Sequence, residues 1–298
     1  SMDTSSKSKE KDECVQIRQM TLRDIPIVVR IANQAFLEIG VVGGGRKPYR
    51  FGSMLLRYLR DLPDLQLVAL KDGKAVGFLG GVISPEGEAI VNWLAIHPSF
   101  QGKGIGRTLV SDYEGRIKAK GFKRVLTGTA YARGFYERCG YTCINITYRL
   151  VKELVGVPVT GCDAYETRRL ELEDLPKVTD AFGEAFARIF LESFFQTYES
   201  EPEKAMCTLQ DGRIKGLIVG KTNEWTSELV EVVSLHAVNN ENLLCLLRNL
   251  ELECSKRGIR WLGVSTEDRS RLKMLEGHGW KMADMPEYWT KYHMAKEL

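Results

Sequence analysis

The sequence predicts an α/β fold, a mixed sheet with helices on both faces, built twice in tandem. Three observations predict it. Residues 91–110 run without a break from an apolar strand through a glycine turn into a helix start. The elements on either side follow the order a mixed sheet requires. The second half of the chain repeats the first at fixed offsets.

Val15-Gln16-Ile17-Arg18 alternates as a short strand. Thr21 stands where a cap would start a helix whose apolar face is Ile25, Val28, Val29, Ala32, Ala35 and Phe36. Residues 40–48 are glycine-rich and basic, with Gly43, Gly44, Gly45, Arg46 and Lys47 in a row, and a second helix follows over 52–62. Runs 65–70 and 75–83 flank Lys71-Asp72-Gly73-Lys74, an Asp-Gly hairpin signal. A second turn, Ser84-Pro85-Glu86-Gly87-Glu88, feeds the β-branched run Ile90, Val91, Trp93, Leu94 and Ile96, which His97-Pro98 stops. Next comes Gln101-Gly102-Lys103-Gly104-Ile105-Gly106 and then a polar amphipathic helix closed by Gly121. Arg124-Val125-Leu126-Thr127-Gly128-Thr129 reads as a strand. The first half is thus β, α, α, β, β, β, α, β, α, β.

Residues 17–26 line up with 167–176, and Ala35-Phe36 with Ala185-Phe186, at an offset of 150. Asp72-Gly73 lines up with Asp211-Gly212, and Gly140-Tyr141 with Gly279-Trp280, at an offset of 139. Two stable offsets mean one deletion between the first helix and the hairpin of a true duplication. The expected boundaries are a disordered tail over 1–13, a first domain over 14–152, a linker over 153–163 and a second domain over 164–298. Ser1 ahead of Met2 reads as a remnant of cloning.

Glycines at alternating positions let a backbone turn sharply and approach a ligand. The helix that follows offers unpaired amides and a positive dipole end, so a phosphate-bearing ligand is expected at residues 101–107. The spacing is neither a P-loop nor a Rossmann fingerprint. Gln101, Gly104 and Gly106 do match the Gln/Arg-x-x-Gly-x-Gly/Ala motif, and Ala132, Phe135, Tyr136, Gly140 and Tyr141 match a second signature, Ala-x-x-Phe-Tyr-x-x-x-Gly-Phe/Tyr. Together with Leu94-Ala95-Ile96-His97-Pro98 ahead of the loop, this stretch of about fifty residues resembles the GCN5-related N-acetyltransferase (GNAT) superfamily. The resemblance implies two tandem acyl-CoA N-acyltransferase folds, with acetyl-CoA as donor and a primary amine, on a small molecule or a protein, as acceptor. It implies direct attack in a ternary complex and no metal. Many members carry Asn where this chain has Thr129, so one cofactor-side hydrogen bond is expected to differ.

By the same resemblance, backbone groups of Leu94, Ala95 and Ile96 pair with the pantetheine arm. Amides of Gln101, Gly102, Lys103, Gly104, Ile105 and Gly106, with Lys103 and Arg107 nearby, hold the pyrophosphate. Tyr136 meets the departing thiolate. The family's usual strand-four carboxylate is missing: Asn92 and Trp93 stand there, and neither is a base. Glu88 or Glu86 through a water chain, or an acceptor of low amine pKa that needs no residue, fills the gap. The segment 40–48 is the candidate substrate lid. At offset 139 the glycine loop becomes residues 240–245 with Glu241 in it, and Tyr136 becomes Leu275. The second copy is therefore expected to keep the fold and lose the chemistry, serving the acceptor pocket, the first domain or a homodimer contact. Transfer of a longer acyl chain, or a non-catalytic acyl-CoA-binding regulator or scaffold, are the alternatives.

A net charge of +3 argues against nucleic acid or an anionic membrane as the main partner. No apolar run approaches membrane-helix length. The seven cysteines, odd in number and without a Cys-x-x-Cys pair, read as reduced thiols, and the compartment as the cytoplasm, with the nucleus left open.

Overall fold

The computed structural model describes residues 14–41 and 52–298, so the expected tail and most of the candidate lid lie outside the described residues. The chain forms two compact units, residues 1–145 with 292–298, and residues 146–291.

Unit 1 holds β1 (Gln16–Gln19), α1 (Ile25–Glu38), α2 (Gly52–Asp61), β2 (Gln66–Lys71), β3 (Lys74–Ile83), β4 (Ala89–Ile96), α3 (Ile105–Ala119), β5 (Arg124–Thr129), α4 (Arg133–Arg138) and the first residues of β6 (Thr142–Glu153). Its strands lie in the order β1-β2-β3-β4-β5, antiparallel except for β4 and β5. The Asp-Gly hairpin forms as its residues dictate, with Asp72 at φ 50 and Gly73 at φ 73, both left-handed. Thr21 caps a single 3-10 turn, Leu22–Asp24, and α1 begins behind it with Pro26 in its first turn, where a missing N–H costs nothing. Leu109, Val110, Tyr113 and Ile117 of α3 are buried against Leu67, Leu79, Val91 and Val125 of the sheet. Each of these aliphatic side chains contributes about 2 kcal/mol by leaving water. Gly81 lets the Tyr113 ring lie against β3, where a methyl group would overlap it, and the Tyr113 hydroxyl donates to the Ile90 carbonyl at 2.8 Å.

Unit 2 repeats this order with β7 (Glu166–Arg169), α5 (Leu175–Phe182), α6 (Glu184–Tyr198), β8 (Ala205–Gln210), β9 (Arg213–Thr222), β10 (Leu229–Ala237), α7 (Asn240–Lys256), β11 (Trp261–Thr266), α8 (Arg269–Gly277) and β12 (Lys281–Met282), before the chain's last strand, β13 (Lys291–Glu297). Again only the fourth and fifth strands of the copy, β10 and β11, are parallel. The duplication extends to side chains. Arg18 grips Asp24 with two bonds of 2.7 and 2.9 Å, and Arg168 grips Asp174 with bonds of 2.6 and 2.7 Å. Two tandem copies of one mixed α/β fold are present.

The units part from the sequence boundaries at the last strand of each copy. From Ile146 onward β6 belongs to unit 2, where it pairs antiparallel with β11; from Tyr292 onward β13 belongs to unit 1, where it pairs antiparallel with β5. The two strands hold the same place in the two copies and suit the same slot, so alternation alone does not say which unit each completes. The cysteines require a correction as well. Cys162, in the expected linker, is bonded to Cys245 of α7, 83 residues away, so this pair is not reduced. Spacing does not reveal such a pairing, because only the fold brings the two together. Cys14, Cys139, Cys143, Cys207 and Cys254 are free thiols.

Candidate active site

β4 and β5 are paired over three positions only: Ala89 with Val125, Ile90 with Leu126, and Val91 with Thr127. At the last of these, Thr127 Oγ1 donates to the Val91 carbonyl at 3.0 Å. One residue further, the register of β4 against β3 slips, Gly81 facing Val91 and Gly80 facing Trp93, which leaves Asn92 as the extra residue of a β-bulge. The strands then part. A cavity of about 610 Å³ opens between them, with residues 92–96 on one wall and 127–132 on the other.

The glycine loop closes one end of that cavity. Gly102 and Gly104 sit at φ 75 and 81, and nothing stands within 4 Å of where a Cβ would be. These backbone positions suit glycine alone, and the space beside them is open to a ligand. Gly104 is the N-cap of α3 and supplies no side-chain cap, so the first amides of the helix remain available. The Gln101 side chain turns inward and donates to the Ile96 carbonyl at 3.0 Å, tying the loop to the end of β4. Gly106 packs beneath Phe135, whose ring would stand 3.3 Å from an added Cβ. Leu94, Ala95, Ile96, Gln101, Gly102, Gly104, Ile105, Gly106, Arg107, Thr129 and Tyr136 all line the one cavity. Lys103 does not; its ammonium lies 5.4 Å from the Phe100 ring centroid.

Tyr136 reaches the cavity from α4. Thr129 Oγ1 accepts from the Ala132 and Tyr131 amides at 2.9 and 3.3 Å, fixing the turn into that helix, so Thr129 is a backbone clamp as well as a wall. The Tyr136 ring packs edge to face against Phe135 and Tyr141 and is 5% exposed. Its hydroxyl shares a hydrogen bond with the Thr127 side chain, and burial pushes its pKa up to about 12. Thr127, at the point where the strands part, was missed in the sequence because a threonine in a strand reads only as a good β-former.

Glu88 is not brought to the cavity. It lies at the opposite end of β4 from the loop, roughly 16 Å along the strand from Trp93. There it accepts from Arg124 at 2.7 and 3.2 Å, and that bond holds its carboxyl below the usual range. Glu86 is in the same turn and does not line the cavity either. The bulge instead presents Asn92, whose Nδ2 donates to the Tyr58 hydroxyl of α2 at 3.1 Å. Trp93 meets Phe36 of α1 edge to face, centroids 6.0 Å apart.

Unit 2 repeats the parted strands without the loop. β10 and β11 are paired at three positions, and β10 carries its own slip between Val232 and Ser234. The amide left open at the start of α3 is closed at α7, where the Asn239 side chain accepts from Asn242 N at 2.8 Å. Glu241 lies in that first turn, repelling an anion. Leu275, fully buried, stands at the Tyr136 position. Phe182, Phe186 and His236 pack together at centroid distances of 4.5 to 5.3 Å. Among the described residues, no group of three or more His, Cys, Asp or Glu side chains is placed to hold a metal, and no helix is long and apolar enough to cross a membrane.

Parted parallel strands, a glycine loop at a helix N-terminus and a buried tyrosine thus meet at one cavity. The chain belongs to the acetyltransferase (GNAT) family, whose model matches residues 32–141. It is 34% identical over 105 residues to an acetyltransferase of Pectobacterium atrosepticum, spanning 33% of this chain and 73% of that one. A GCN5-related N-acetyltransferase from Sphaerobacter thermophilus shares the fold over 96% of both chains, with a TM-score of 0.66 and 18% identity. A tandem GNAT protein from the clavulanic acid biosynthesis pathway shares it over 95% of this chain and 98% of its own, with a TM-score of 0.65 and 14% identity.

Proposed function

We propose that unit 1 moves an acetyl group from acetyl-CoA to a primary amine by direct attack in a ternary complex, and that unit 2 has kept the fold without the chemistry. The observation that carries this reading is that the uncapped start of α3, the parted edge of β4 and Tyr136 all face one cavity. The amides of residues 102–106, with Arg107 beside them, bind the diphosphate through the helix N-terminus. Backbone groups of Leu94, Ala95 and Ile96 orient the pantetheine arm. The donor supplies an activated acyl group and a thiolate that can leave. Tyr136 keeps its proton and offers it as a hydrogen bond where that negative charge develops.

The test is a thermal-shift titration with acetyl-CoA, longer acyl-CoAs and free coenzyme A, on the intact chain and on Gly104→Glu. The variant forces a side chain into a left-handed backbone position and adds a negative charge to the anion site. Saturable stabilisation is expected for the intact chain, about 2.7 kcal/mol at a hundredfold excess over Kd, and none for the variant. A chain that none of these ligands stabilises would leave the loop without its assigned role.

A further inference from the structure

The acceptor end of the cavity carries a narrower statement, which rests on the transfer proposed above. Along β4, away from the glycine loop, the wall is made by Phe36 of α1 and Ile39 just beyond it, with Asn92 and Trp93. Asn92 donates its Nδ2 to Tyr58, which leaves the carbonyl Oδ1 as the part of that amide suited to a ligand. An amide carbonyl accepts a hydrogen bond from an amine and takes no proton.

The titratable groups on the cavity are Arg107 of α3, Tyr131 on the loop after β5, and Tyr136, Arg138 and Cys139 at α4, with Tyr58 of α2 behind Asn92. No carboxyl group lines it among the described residues. The carboxyl groups of the two helices beside it, Glu38 at the end of α1 and Asp61 at the end of α2, do not line the cavity, and Asp61 pairs with Arg60 at 2.7 Å. An ammonium ion entering here would lose water without gaining an anion, at a cost of several kcal/mol that a cation–π contact of about 0.5–2 kcal/mol does not offset. A neutral amine meets no such penalty.

We propose that the acceptor is a weakly basic primary amine, with an appreciable neutral fraction near pH 7 and carried on an apolar or aromatic body, and that no side chain of the enzyme takes its proton. The nitrogen lone pair attacks the thioester carbon, forming the C–N bond as the C–S bond breaks. The proton the nitrogen sheds passes through solvent, and the thiolate takes up one in its place. At pH 7 an α-amine of pKa about 8 is roughly 10% neutral and an alkylamine of pKa about 10.4 roughly 0.04%, a difference of about 200-fold in attacking species.

The experiment uses the full chain with saturating acetyl-CoA, following thiol release from phenylalaninamide, phenethylamine and putrescine between pH 6 and 10. At pH 7, kcat/KM for phenylalaninamide is expected to exceed that for phenethylamine about 100-fold, with putrescine at background. Each profile should rise with unit slope and break at the acceptor's own pKa. A break at one common pH for both aromatic amines reveals a base on the enzyme and overturns the proposal, as does putrescine being the fastest. Asn92→Asp places a carboxylate on the bulge and is expected to narrow the gap between the aromatic amines at least tenfold; an unchanged gap overturns it. Stabilisation by acetyl-CoA without transfer to phenylalaninamide overturns the acceptor class alone. Failure of every acyl-CoA to stabilise the chain overturns the parent reading and the acceptor class together.

Discussion

Burial sets what Tyr136 can do. With its phenol pushed up to about 12, the side chain is neutral through the whole working range of pH. Passing its proton fully to a thiolate of pKa about 8.5 would be uphill by about 5 kcal/mol, so a hydrogen bond is the contribution available. Tyr136→Phe removes that bond and the one to Thr127, while the ring stays between Phe135 and Tyr141. In the proposed reaction kcat should fall about 100-fold, while stabilisation by acetyl-CoA is unchanged. Between pH 6 and 10 the wild-type and variant profiles should differ in height and not in shape, because a group titrating near 12 adds no break there; equal kcat would remove Tyr136 from the mechanism. This residue was legible because its neighbours have fixed spacing. Glu88 misled for the opposite reason: it is close to Asn92 in sequence, yet an extended strand turns a few residues into a long distance.

The same contrast holds for the elements. Hairpins announced by Asp72-Gly73 and Asp211-Gly212 form with both residues of each pair at positive φ, as local chemistry demands. The disulfide was illegible because it depends on where α7 packs and not on local pattern. The start of each copy lies between these cases: the repeated Asp-x-Pro was visible, while the partner of each aspartate was not. Asp174, 3% exposed, accepts from Arg168 and from the Glu171 amide, and these bonds lower its pKa to about 2. A folded pKa below the unfolded value of about 3.9 stabilises the fold fully above about pH 5, and the contribution is lost as pH falls through about 2. Asp174→Ala should therefore cost about 2–3 kcal/mol at pH 6, and the gap to wild type should close between about pH 4 and 2. Urea unfolding midpoints at pH 6, 4 and 2.5 measure it; a gap constant across that range would assign the loss to packing and not to the ion pair.

At the scale of the molecule, the duplication is complete only when the last strands are counted with the units they belong to. In unit 1, Lys296 of β13 pairs with Glu114 at 2.7 Å and lies 5.9 Å from the Tyr141 ring centroid. In unit 2, Lys152 of β6 pairs with Glu251 at 3.2 Å and lies 5.8 Å from the Trp280 ring centroid. Tyr141 and Trp280 are repeat equivalents, so each strand makes in its unit the contact that the other makes in the other. This gives the chain's end a bearing on the site. β13 pairs Met294 with Thr127 and Tyr292 with Thr129, so it holds the outer edge of the strand that carries the hydrogen-bond partner of Tyr136 and the clamp of α4. Met294 is fully buried in the unit 1 core, and Arg133 of α4 lies over the Tyr292 ring at 4.8 Å. Ending the chain after Lys291 removes no residue that lines the cavity. It strips β5 of a full edge of ladder bonds and opens a core position, a loss of several kcal/mol. The truncated chain is expected to show no saturable stabilisation by acetyl-CoA, whereas Lys296→Ala should keep the ligand shift and lose about 1–3 kcal/mol of unliganded stability from the Glu114 carboxylate it leaves unpaired. An undiminished acetyl-CoA shift in the truncated chain would mean that unit 1 holds its site without β13.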